Sequence, residues 1–143
     1  MDSATNARAR FTGKLNCAES TCQALCEALD LDPSLARSAS AFGGGGVHEQ
    51  LLCGAVAGAM IAIGALKGRL LPSEDRFVGE TPVIKLIQRV REKYGDLTCR
   101  NIIGLDFKAV PQDMEERARR REGVCTQIVG DVTQWALEIL AEE

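Results

Sequence analysis

Apolar residues recur along this chain at the spacing of one face of an α-helix. Near the amino end, Leu15, Ala18, Cys22, Leu25 and Leu29 lie three or four residues apart and form one apolar stripe. A second stripe near the carboxyl end comprises Val124, Ile128, Val132, Trp135 and Ile139. No segment alternates between apolar and polar residues over a useful length, so the pattern predicts an all-α protein.

Turn and cap residues mark the limits of the other predicted helices. A shorter helix follows the first over PSLARSASAF. Another begins at Thr81 and Pro82, because threonine caps helix starts and proline fits the first turn. Gly95 is expected to end that helix. The remaining pieces are a short helix in LTCRNIIGLDF that ends at Gly104 and a charged helix that Pro111 begins.

The most apolar stretch, HEQLLCGAVAGAMIAIGALKG, predicts the central helix of the fold. The run from Leu51 to Leu66 has no charged residue, but it spans only about 24 Å at ~1.5 Å per residue, less than the ~30 Å core of a bilayer. A helix that is apolar on all sides without crossing a membrane is buried by its neighbours. Gly54 and Gly58, four residues apart, would let a neighbouring backbone approach closely.

We therefore predict a single-domain helical bundle over residues 1–143, built around a buried central Gly/Ala-rich helix, with residues 1–12 flexible. The chain has 143 residues, of which 45% are hydrophobic, and this length can bury a core without disulfide bonds. Immediately before the central helix, Gly43–Gly46 predicts a hinge or a tight loop, since glycine adopts such backbone conformations at the lowest cost.

The charge distribution gives no indication of a nucleic-acid partner. The net charge is −3, from 17 basic and 20 acidic residues. The one basic cluster, Arg117 and Arg119–Arg121, alternates with Glu115, Glu116 and Glu122, which is typical of a solvated helix face. The amino end has no apolar segment of the secretory type. We therefore expect a cytoplasmic protein without a membrane partner.

Six cysteines in a chain expected to be cytoplasmic need an explanation other than structural disulfides, which are rare there. Five pieces of sequence occur in order: NCAES, FGGGG, CGAVAG, CRNIIGLD, and a cysteine followed by IVGDVTQWALEIL. Together they resemble the C-GCAxxG-C-C family of redox-active proteins over nearly the whole chain. The resemblance implies an all-α fold and a redox role for the family cysteines, which are Cys17, Cys53, Cys99 and Cys125. The residues that complete the family motif are Gly54, Ala55 and Gly58.

Three interpretations of the four cysteines are open. In the favoured one, Cys53 and one of the other three cysteines transfer electrons by reversible thiol–disulfide chemistry. A helix end lowers the pKa of one thiol. This chemistry requires no cofactor. In the second, Cys17, Cys53, Cys99 and Cys125 are ligands of an iron–sulfur cluster or another metal. In the third, the cysteines are buried, reduced and inert, and the domain works by binding a partner.

Other candidate chemistry has less support. Cys22 and Cys26 lie outside the family set and are predicted to fill the core, because free cysteine behaves as a small hydrophobe. A disulfide between residues four apart would strain a helix. His48 is expected to be exposed rather than a ligand. The chain has no Cys-x-x-Cys, and GGGGVHEQ fits neither a P-loop nor a dinucleotide-binding turn. The redox partner, a protein or a small thiol, stays unidentified, and a homo-oligomer is compatible with the sequence.

Overall fold

Helices make up the regular structure of this protein. A computed structural model describes residues 1–109 and 114–143, and these residues form seven α-helices and no sheet. The helices are α1 (Ser3–Thr12), α2 (Cys17–Ala28), α3 (Gly54–Lys67), α4 (Phe77–Tyr94), α5 (Cys99–Ile103), α6 (Met114–Arg120) and α7 (Thr126–Ala141). A 3₁₀ segment, Pro33–Phe42, lies between α2 and α3, and a π-helical segment, Arg121–Cys125, joins α6 to α7. The all-α prediction is confirmed.

Helices α2 and α3 form the centre of the fold. A capping box begins α2: the Asn16 side chain accepts a hydrogen bond from the Glu19 amide, and the Glu19 carboxylate accepts one from the Asn16 amide. The two helices touch backbone to backbone, since a Cβ on Gly58 would lie 2.3 Å from the carbonyl oxygen of Ala18. Gly58 therefore allows the close approach of α2 and α3.

The central apolar stretch divides into two parts. Leu51–Cys53 is extended and pairs with Leu97–Cys99 through an isolated antiparallel bridge: the Cys53 amide donates to the Leu97 carbonyl at 2.8 Å, and the Cys99 amide donates to the Leu51 carbonyl at 2.7 Å. The helix begins only at Gly54, later than the sequence pattern predicts. It is buried on all sides over its first six residues, whereas Met60 and Leu66, further along the helix, are exposed.

Several predicted helix limits agree with the structure. The αL conformations of Gly95 and Gly104 end α4 and α5 as expected. Helix α4, however, begins at Phe77 rather than at the predicted Thr81, and Pro82 is buried within it. The added turn packs against the end of α3, where a Cβ on Gly79 would lie 3.1 Å from the Lys67 carbonyl oxygen. Tertiary packing therefore extends the helix beyond its sequence signal.

The two most polar helices, α1 and α6, differ from each other in packing. Ser3–Thr12, within the segment expected to be flexible, is helical and packs with α7, burying Ala4 and Ala7. Helix α6 buries none of its residues, as expected for the part of the predicted solvated face that it carries. The predicted start of that helix, Pro111, lies outside the described residues. Within the described ranges, none of the helices has both the length and the apolar composition that a membrane crossing requires.

Candidate functional site

Four cysteines from four separate parts of the chain surround one small cavity. Cys17 is the first residue of α2, Cys53 caps α3, Cys99 is the first residue of α5, and Cys125 ends the π-helical segment. All four line a cavity of about 10 Å³, which is space for about one water molecule. All four are buried free thiols. We call this group the four-cysteine site.

Two local contacts bring these cysteines together. In the bridge between Leu51–Cys53 and Leu97–Cys99, Leu52 lies opposite Thr98, so the residues on either side of this pair point to the other face. Cys53 and Cys99 therefore lie on the same face. Gly54 brings Cys17 against the start of α3, where a Cβ would lie only 2.2 Å from the Cys17 sulfur. A larger residue at position 54 would therefore displace Cys17.

The glycine loop before α3 forms another wall of the site. Gly44 lines the cavity and has a φ of 63°, in the left-handed region. A Cβ at this position would lie 2.3 Å from Nδ1 of His48, so the loop is tight. Gln50, which is buried, fixes the end of the loop through its side-chain amide. The Nε2 atom donates to the Leu105 carbonyl at 2.7 Å, and the Oε1 atom accepts from the Phe107 backbone amide at 2.8 Å.

Burial controls the ionisation of the thiols. It raises the pKa of Cys99 to about 11 and the pKa of Cys125 to about 12, and it raises the pKa of Cys53 further. The amides of Val56 and Ala55, at the start of α3, act on Cys53 in the opposite direction but do not outweigh burial. The start of α3 therefore acts on Cys53 in the expected direction, but the pKa of this thiol is raised overall because burial is the larger influence.

Cys17 is the common electrostatic neighbour of the other three thiols. After burial, its charge is the largest influence that raises the pKa of Cys53, of Cys99 and of Cys125. Weaker interactions join Cys125 to Cys53 and to Cys99. The electrostatic interactions among the thiols therefore centre on Cys17, whereas the sequence interpretation centred on Cys53.

The raised pKa values predict a steep pH dependence of thiol reactivity. Because only the thiolate is nucleophilic, alkylation of Cys99 and Cys125 should accelerate roughly tenfold for each pH unit between pH 7 and pH 9. The measurement is iodoacetamide labelling of the folded protein, with each cysteine quantified by peptide mass spectrometry. Labelling rates that reach a plateau below pH 9 would contradict the assignment.

Arg121 belongs to the site although the sequence analysis placed it on a solvated face. Its side chain lines the cavity and hydrogen-bonds with Cys125, and its charge lowers the pKa of Cys125 and of Cys99. The available sequence signal is the spacing of four residues between Arg121 and Cys125, which places both on one side of a helical turn. The π-helical segment that carries them is a local irregularity of a kind frequent at functional sites.

The remaining sequence candidates lie outside the four-cysteine site. Cys22 and Cys26 are fully buried in the main core, as predicted for core-filling cysteines. His48 is exposed, as expected, and lies in a neighbouring groove. In residues 1–109 and 114–143, no group of three or more His, Cys, Asp or Glu side chains is arranged to hold a metal ion.

Comparison with known proteins identifies the family. The family model described as "Putative redox-active protein (C_GCAxxG_C_C)" matches residues 15–139 of the 143. No curated protein and no solved structure matches the chain significantly. The matched region contains all four cysteines of the site and the CGAVAG segment at the start of α3. The chain therefore belongs to the C-GCAxxG-C-C family of redox-active proteins.

Proposed function

We propose that this protein transfers electrons by reversible thiol–disulfide exchange in the four-cysteine site, with a disulfide of a partner protein or of a small thiol as the oxidant. The observation that carries the proposal is the placement of four free thiols around one cavity of about 10 Å³. Because all four thiols border the same cavity, a disulfide between any two of them would form within this one site.

The proposed exchange has two steps. A cysteine thiolate attacks one sulfur of the oxidant, the sulfur–sulfur bond of the oxidant breaks, and one oxidant thiol leaves with a proton. A second cysteine thiolate then attacks the protein sulfur of this mixed disulfide, and the second oxidant thiol leaves with a proton. Two protein thiols and one disulfide thus become one protein disulfide and two small or partner thiols.

The surroundings favour a site that is stable when reduced. Burial keeps Cys53, Cys99 and Cys125 in the neutral thiol form at pH 7. Within the described part of the chain, Arg121 is the one cationic side chain that lines the cavity, and its charge favours a thiolate when one forms. The site therefore combines an unreactive resting state with a group that assists the attacking sulfur.

The test is thiol counting on protein purified without oxygen. Incubation with 2-hydroxyethyl disulfide and 2-mercaptoethanol at graded ratios should remove two thiols, and excess 2-mercaptoethanol should restore them. Peptide mapping should find the disulfide among Cys17, Cys53, Cys99 and Cys125, with Cys22 and Cys26 still free as internal controls.

Two other results would overturn the proposal. A coloured protein that contains iron and inorganic sulfide would assign the four cysteines to a cluster. A colourless protein in which all six thiols stay free at every ratio would support inert cysteines in a partner-binding domain.

A further inference from the structure

A groove lies on the outer side of the four-cysteine site. It has a volume of about 550 Å³, within the size range of small-molecule sites. Its lining includes Lys14, Glu19, His48, Arg121, Glu122 and Thr126. We call it the Lys14 groove.

The groove and the cysteine cavity share a wall. Arg121 lines both of them. Asn16 and Thr126 line the groove, and each is the immediate chain neighbour of a cysteine of the cavity, Cys17 or Cys125. The groove is therefore joined to the cavity at Arg121, and its lining is continuous along the chain with Cys17 and Cys125.

The groove carries charges of both signs that form no ion pair among the described residues. Among the described residues, Lys14, Arg121 and Glu122 take part in no ion pair. By contrast, the neighbouring charges on α6 are paired, as Arg120 and Arg119 both contact Glu116. The hydroxyl of Thr126 is buried and has no hydrogen-bond partner among the described residues. These groups can bind a ligand without first breaking an internal ion pair.

We infer that the Lys14 groove binds a small disulfide of the amino-acid or short-peptide type, which carries both carboxylate and ammonium groups, and that this compound is the oxidant of the four-cysteine site. The inference rests on the proposed function. Lys14 and Arg121 would bind a carboxylate, and Glu122 would bind the ammonium group. Movement of Arg121 toward that carboxylate would open the shared wall to the ligand sulfur. The exchange then follows the two steps given above, with two amino-acid or peptide thiols as products.

The test compares charged and neutral disulfides as oxidants. Thiol loss from the reduced full-length protein is timed with cystine, with glutathione disulfide and with the neutral 2-hydroxyethyl disulfide. Each rate is divided by the rate of the same disulfide with free dithiothreitol, which removes intrinsic reactivity. We expect at least one charged disulfide to be preferred over the neutral one by roughly tenfold or more. A preference for cystine identifies an amino-acid disulfide, and one for glutathione disulfide identifies a peptide disulfide.

Two variants connect this preference to the groove. Lys14→Met should reduce the preference severalfold, whereas Arg119→Met, which changes an exposed arginine outside the groove, should retain it. Normalised rates that are equal for all three disulfides, or an unchanged preference in Lys14→Met, would overturn the inference. If no disulfide removes thiols from the wild-type protein, the proposed function itself fails. If only the neutral disulfide oxidises the protein, the proposed thiol–disulfide function holds, but the inference that the groove binds a charged disulfide is overturned.

Discussion

Replacement of Cys17 by serine is expected to slow disulfide formation in the four-cysteine site by roughly tenfold or more. Cys17 is the thiol with the strongest electrostatic influence on each of the other three, and its sulfur lies against the start of α3. Its loss removes the one thiol that acts electrostatically on Cys53, Cys99 and Cys125 alike. The measurement is the rate of thiol loss at a fixed ratio of 2-hydroxyethyl disulfide to 2-mercaptoethanol.

A matched control is available on the same helix. Cys26→Ser makes the same chemical change nine positions further along α2, in the core and away from the cavity. It should form the site disulfide at the wild-type rate, although the buried hydroxyl lowers stability by about 1–3 kcal/mol. If Cys17→Ser oxidises as fast as the wild-type protein, Cys17 is not central and the exchange runs among the remaining three cysteines.

Replacement of Gly58 by alanine is expected to lower the free energy of unfolding by about 3 kcal/mol, which corresponds to a melting temperature lower by roughly 10 °C. The added Cβ would lie 2.3 Å from the Ala18 carbonyl oxygen. Because that atom belongs to the backbone of α2, no side-chain rotation relieves the contact, and the two helices must separate. Urea unfolding followed by circular dichroism measures the effect.

The same substitution at Gly64, six residues further along α3, should have the opposite sign. A Cβ at Gly64 meets no atom within 4 Å, so Gly64→Ala should stabilise the protein by about 0.5–1 kcal/mol through the higher helix propensity of alanine. The pair therefore separates close packing from propensity. A Gly58→Ala protein as stable as the wild type would show that α2 and α3 are not packed backbone to backbone.

Helical periodicity made the fold class predictable from the sequence. The stripe around Cys22 and Leu25 became the buried side of α2, and the carboxyl-terminal stripe became that of α7, where Ile128 and Val132 are buried. These helices follow the pattern because each apolar stripe needs a neighbouring surface to bury it. The helix ends at Gly95 and Gly104 were equally predictable from the sequence, since a glycine in the αL conformation ends a helix by a local rule.

Local rules were insufficient where distant segments meet. The bridge between Leu52 and Thr98 has no alternating pattern, because only one pair of residues forms it. Cys53 and Cys99 owe their common position to that contact. Likewise, Cys17 lies about 120° from the predicted core stripe at ~100° per residue, yet it is buried because α3 covers this face as well.

The sequence by itself determined an all-α chain, the close-packing role of Gly58, and the four cysteines as members of one family motif. The tertiary structure decided their surroundings: a shared cavity, electrostatic interactions that centre on Cys17, raised pKa values for Cys53, Cys99 and Cys125, and Arg121 at the wall. The physical reason is that burial and charge at a site arise from segments far apart in the chain. Periodicity describes one helix at a time and carries no information about which helix ends meet.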